Sequence, residues 1–168
     1  MLAALVAFSA SSNAAVILNL DVSDINPSVN DTITVNLLAT TTTPADAIGG
    51  FSLSLGFDTN VLQLASPMAL GGSFMAGGLL TPALFNGSSF VGVEGTDIVL
   101  ASFEFLVVGT GNSAFTTGGS LFNAFFQQIL DVEFASSTVS VAAADPVSAP
   151  AALVLLLGAL AWVGRRKA

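Results

Sequence analysis

The side chains able to do chemistry in this 168-residue chain are almost entirely carboxylates and hydroxyls. There is no His, Cys or Tyr, and the only cationic residues are Arg165, Arg166 and Lys167. Neutral-pH general bases and activated nucleophiles come largely from the missing types. Asp131 and Glu133 form the best-spaced carboxylate pair. Two residues apart in an alternating stretch, they would share one strand face, as the paired acids of a glycosidase do across the scissile bond. A solvated face opposite Val132 and Phe134 explains the same spacing, and it is the reading preferred here. Glu94 and Asp97 flank Gly95 and read as turn residues. Asp21, Asp24 and Asp31, with Asn19, Asn26 and Asn30, collect hard oxygens of the kind calcium takes. Their spacing is not that of an EF-hand loop, and Asx side chains cap turns unaided. The expectation is a chain with no catalytic residue, no assigned metal ligand and no cofactor.

All 11 acidic residues precede the first basic one, and the net charge is −8. Such a surface repels phosphates, which excludes a nucleic-acid partner. Without Cys there is neither a disulfide nor a thiolate metal site, so the fold must stand on its core. The 13 Phe and the many Val, Leu and Ile residues can supply that core.

The elements that would carry these residues are strands. Val16, Leu18, Leu20 and Val22 alternate with Ile17, Asn19, Asp21 and Ser23. Ile33, Val35 and Leu37 repeat the pattern, and Phe51, Leu53, Leu55 and Phe57 give it most clearly. A period of two with one apolar face marks half-buried strands. A turn at 58–60 leads to a strand at 61–64. Residues 67–87 are Gly-rich and without period, which predicts a long excursion between two halves of the domain. Strands are predicted again at 89–93, 98–108, 113–117, 129–134 and 137–141. Eight or nine short strands with regular turns and no internal helix predict an all-β domain, an antiparallel sandwich, over residues 15–144.

The two ends read differently. Residues 1–14 hold a short apolar run followed by Ser12, Asn13 and Ala14, small residues at the spacing a signal peptidase needs. No basic residue precedes the run, so the segment reads as part of a signal peptide. At the other end, 147–164 contains eighteen uncharged residues, followed by Arg165, Arg166 and Lys167. As a helix this stretch would span about 27 Å, close to the thickness of a hydrocarbon core. A transmembrane helix is therefore predicted over about 151–164, with its basic stop in the cytoplasm and the domain outside it.

The segment 145–168 resembles the PEP-CTERM sorting signal of Gram-negative bacteria. The matching parts are Val147, Ser148, Ala149 and Pro150, then the apolar block, then the basic cluster. The motif departs from the common Pro-Glu-Pro form and is similar to a Val-Ser-Ala-Pro variant. The resemblance implies an exosortase-type partner, transient anchoring in the inner membrane, and final delivery to the cell surface or exterior.

The domain resembles cohesin-like domains on three motifs: residues 26–35, residues 49–62 and residues 98–105. Asn30 stands where that family usually has Gly, and Thr59 where it usually has Pro. This resemblance implies a jelly-roll sandwich with a partner-binding sheet face, and a hairpin across 49–62. The expected partner is a dockerin-like protein or a matrix polysaccharide. The expected role is a non-enzymatic exported binding module. Its rivals are a structural biofilm protein with no specific partner and, disfavoured, an exported carbohydrate-active enzyme.

Overall fold

The computed structural model describes residues 15–78 and 80–143. The segment 1–14 read as a signal peptide, the residues Val147, Ser148, Ala149 and Pro150 read as a sorting motif, the helix predicted over 151–164, and Arg165, Arg166 and Lys167 lie outside the described residues. Among the described residues no helix is long and apolar enough to cross a membrane. One turn of 3-10 helix, Pro44–Asp46, is the only helical element among the described residues, which are otherwise strands and turns.

Twelve strands form two sheets. The first, sheet A, contains β1 (Val16–Val22), β2 (Thr32–Thr41), β4 (Leu62–Leu64), β5 (Ala69–Leu70), β8 (Ile98–Val107) and β11 (Val132–Glu133). Its order is β11-β1-β2-β8-β4, with β5 also on β8. The second, sheet B, contains β3 (Ile48–Gly56), β6 (Met75–Ala76), β7 (Phe85–Val93), β9 (Gly111–Asn123), β10 (Gln128–Ile129) and β12 (Ser136–Val141). Its order is β10-β9-β3-β7-β6, and β12 shares the outer edge of β9 with β10. Every strand pairing is antiparallel except β1 with β11, which is parallel.

The alternating residues become the core. Ile33, Val35 and Leu37 of β2 and Phe51, Leu53 and Leu55 of β3 are buried, as are Phe103, Phe105 and Val107 of β8. Six aromatic contacts run through the core, and two of them join the sheets strand to strand. Phe103 and Phe105 of sheet A meet Phe85 and Phe115 of sheet B at ring-centroid distances of 5.3 and 5.5 Å, and Phe51 joins Phe85 and Phe74. Such edge-on and offset pairs add about 1 kcal/mol each beyond the area they bury.

Four expectations are corrected. Residues 49–62 do not form a hairpin: β3 lies in sheet B and β4 in sheet A, so the turn between them crosses the sandwich. Phe57 packs there against Phe105 at 4.7 Å, and the Asp58 N–H donates to the buried Ser113 Oγ at 2.9 Å. The excursion 67–87 carries the short strands β5 and β6, each zipped to a sheet edge, and the start of β7. The strand expected at 113–117 is the middle of the 13-residue β9. Finally, 129–134 is not one strand: β10 belongs to sheet B and β11 to sheet A, and the chain changes sheets at Asp131.

Candidate functional site

That change of sheets decides the carboxylate pair. The Asp131 carbonyl accepts the N–H groups of Ala15 and Val16 at 2.8 and 3.2 Å, which starts the parallel pairing of β11 with β1. Both Asp131 and Glu133 are exposed. Among the described residues no His, Lys or Tyr accompanies them, and their exposure fits the solvated strand face expected from the alternation.

The calcium candidates are occupied locally. Asp24 Oδ1 accepts the Asn26 N–H at 2.8 Å, and Asp31 Oδ2 accepts the Ser28 N–H at 2.8 Å. Asp21 Oδ2 takes the Asn36 amide at 3.4 Å. Asn30 adopts φ 77, the left-handed conformation that Asn tolerates in turns. Among the described residues no three His, Cys, Asp or Glu side chains group closely enough to hold a metal ion. Glu94 and Asp97 bracket a turn in which Gly95 has φ +135 and its N–H donates to Thr41 Oγ1 at 2.9 Å.

The distinctive surface is the outer face of sheet B. No strand of that sheet contains a charged residue, whereas sheet A carries Asp21, Glu104 and Glu133. With Phe51, Leu53 and Leu55 turned inward, Ser52 and Ser54 turn outward. Register then sets Ser52 between Asn86 of β7 and Ser120 of β9, and Ser54 beside Gly118. A second cross-strand row runs from Met75 through Ser88 and Gly50 to Phe122 and Gln128. The face is thus uncharged, with Ser and Gly at its centre and Met75, Phe122 and Gln128 along the second row.

The two outer faces differ in how they satisfy their polar groups. On sheet A, Ser102 Oγ donates to Asn36 Oδ1 at 2.7 Å, and Asn36 in turn donates to Asp21. On sheet B the Ser89 Oγ donates to the Val91 carbonyl at 2.6 Å, but Ser54 Oγ reaches the Gly118 carbonyl and Gln128 Nε2 reaches Ser120 Oγ only at 3.4 Å. Hydroxyls held this loosely can exchange partners, and removing water from them costs far less than from a carboxylate.

At one end the face dips into a groove of about 640 Å³. The end of β3 and the middle of β9 form one wall, with Ser54, Gly56, Thr116 and Gly118. The other wall is the 81–83 turn, where the Pro82 carbonyl accepts the Leu55 N–H at 2.7 Å. The neutrality of this surface can be read in the sequence by counting charges strand by strand. Joining those strands into one face required the topology.

Comparison with solved structures supports the same architecture. The chain is similar to the cohesin module of the family 33 glycoside hydrolase of Clostridium perfringens, with TM-score 0.63 at 10% identity over 77% of this chain and 98% of that one. It is similar to the third ScaB cohesin of R. flavefaciens, solved in complex with a group 1 dockerin, with TM-score 0.60 at 11% identity over 80% and 100% of the two chains. A non-cellulosomal cohesin from the archaeon Archaeoglobus fulgidus matches with TM-score 0.58 at 18% identity over 77% and 93%. No family model matches the chain, and no curated protein matches it by sequence. The fold is that of a cohesin module, a two-sheet β-sandwich.

Proposed function

We propose that this chain is an exported, non-enzymatic protein-binding module whose partner, a dockerin-like protein, docks on the outer face of sheet B. The observation that carries this reading is the absence of charge from that face in a domain whose residues 15–143 hold ten carboxylates and no Lys or Arg. Interface cores are depleted of charge because desolvating an unpaired ion costs more than the contact returns. The pairing of cohesin with dockerin in related folds supplies the partner class. Surface plasmon resonance against a panel of purified dockerin modules tests it. At least one module should bind, and Ser52→Arg or Ser120→Glu should weaken it tenfold or more while leaving Tm within about 2 °C. Unchanged affinity in both variants would move the interface off sheet B.

The groove favours a second reading, a matrix module holding a neutral glycan against Phe57 and the hydroxyls of Thr59, Thr81 and Thr116. Binding of exopolysaccharide that is lost with Thr116→Val, with no dockerin bound, would select it.

Delivery belongs to the same proposal. Residues 145–168 act as a sorting signal of the PEP-CTERM type, with Val147–Pro150 as the motif read by an exosortase-type enzyme and Arg165, Arg166 and Lys167 as the cytoplasmic stop. The module is then displayed at the cell surface or released into the matrix. Intact mass of the native protein tests this. A chain ending near Pro150 outside the inner membrane supports it, and a full-length chain retained in that membrane reduces the tail to an anchor.

A further inference from the structure

Four large apolar side chains are exposed at one end of the sandwich, where β7 and the turn after β9 leave sheet B. Phe90 is 91% exposed and Phe125 83% exposed, with Val91 and Phe126 also in solvent. The register places them there. Between Ser88, paired with Gly50, and Val93, paired with Ile48, β7 spends four residues against the single Gly49 of β3. The surplus lifts Phe90 and Val91 off the sheet, and Ser89 Oγ holds the bulge by donating to the Val91 carbonyl at 2.6 Å.

Across β3, the 123–127 turn is equally constrained. Asn123 Oδ1 accepts the N–H groups of Phe125 and Gln127, both at 3.0 Å, and Phe126 has φ 58. A bulky residue in the left-handed region is strained, so this presentation is held by the turn rather than by preference. Gly92 joins the two segments. A Cβ there would stand 2.8 Å from Ala124 Cβ and 2.9 Å from Ala47 Cβ, so the bulge, the 123–127 turn and the Pro44–Asp46 turn meet at one point. The charges flanking that point are all negative: Asp46 beside Ala47, and exposed Glu94 and Asp97 just beyond Gly92.

We infer that this end is a second docking surface, for a polypeptide segment that is both apolar and basic. Charge selects that occupant. A second copy of the domain would bring two acidic rims together, with no Lys or Arg between residues 15 and 143 to offset them. An anionic lipid surface would be repelled in the same way. Phenylalanine rings with a carboxylate rim suit alternating hydrophobic and cationic side chains, through apolar contact, cation–π contact and ion pairing. The surface borders the Ser88–Phe122 row of sheet B and leaves out Ser52 and Ser120, so variants at Ser52 and Ser120 probe the sheet face alone.

The probe is a labelled twelve-residue peptide of alternating Leu and Lys, titrated by fluorescence anisotropy into the full-length chain. Saturable binding is expected. Phe90→Ser with Phe125→Ser should weaken it at least tenfold, and Glu94→Gln should lower its salt dependence while keeping saturation. A matched Leu–Glu peptide, anionic phospholipid vesicles and neutral glucan oligomers should not bind. Equal binding to the double Phe variant would reduce the effect to general attraction to a polyanion and overturn the proposal. So would preference for vesicles or glucan over the Lys peptide. Dockerin binding measured on the same variants stays unchanged if the two surfaces are distinct.

Discussion

Ser113 is the one polar side chain fully buried among the described residues, and it holds the turn that carries the chain from sheet B to sheet A. Its Oγ receives the Asp58 N–H, while Asp58 Oδ1 receives the Asn60 N–H at 2.8 Å and the Asn60 side-chain amide at 2.9 Å. Ser113→Ala would strand a shielded donor, so a loss of about 1–3 kcal/mol is expected in urea unfolding. Asp58→Ala removes only exposed caps and should cost less, about 1 kcal/mol. Equal losses would mean that the Ser113 bond is not what holds the crossing. The Asp58 turn was legible in the sequence as turn chemistry, but its anchor 55 residues away was not. A Ser in alternation with Phe115 looks like any other strand residue until the opposite turn arrives above it.

At the scale of elements, sheet B depends on glycines as spacers. The Phe51 ring lies over Gly87 on the neighbouring strand, where a Cβ would come within 2.4 Å of Phe51 Cζ. In β9, Gly119 has φ +128, and a Cβ there would meet the Ser52 carbonyl at 2.2 Å. Gly87→Ala should therefore destabilise by about 1–3 kcal/mol, the range for overpacking a dense core. Gly72→Ala, which has open space around it, should be neutral within about 0.5 kcal/mol. Chemical denaturation of both variants side by side checks the pair, and a neutral Gly87→Ala would mean that the Phe51 ring moves freely. These glycines also explain why 113–123 reads as a short strand. Gly118, Gly119 and Ser120 have no apolar side chain to show a period, and pairing with β3 alone keeps them extended.

The whole molecule is an acidic shell around an aromatic core. Ten carboxylates lie within residues 15–143 with no cation among them, so folding concentrates repulsion that no internal ion pair relieves. Raising NaCl from about 10 to about 150 mM shortens the screening length from about 30 to about 8 Å. Tm should rise by a few degrees over that range, because the compact state gains more from screening than the expanded one. Scanning calorimetry at the two salt concentrations checks it. A flat or falling Tm would show the carboxylates too dispersed to interact. The same uncompensated charge is the reason the proposed dockerin-like contact falls on the neutral face of sheet B and the proposed second contact calls for a cationic partner.

The sequence by itself determined the cores of the longer strands, their inward residues and a composition without His, Cys or Tyr. Each of these is local: a period of two follows from strand geometry, and chemistry absent from the composition stays absent from the fold. Only the tertiary structure decided which strand joins which sheet. It split 129–134 between the sheets, turned the supposed hairpin at 49–62 into a crossing, and gathered the uncharged strands onto one face. Pairing is a relation between distant segments, and the side-chain alternation of a strand is the same whichever neighbour it meets.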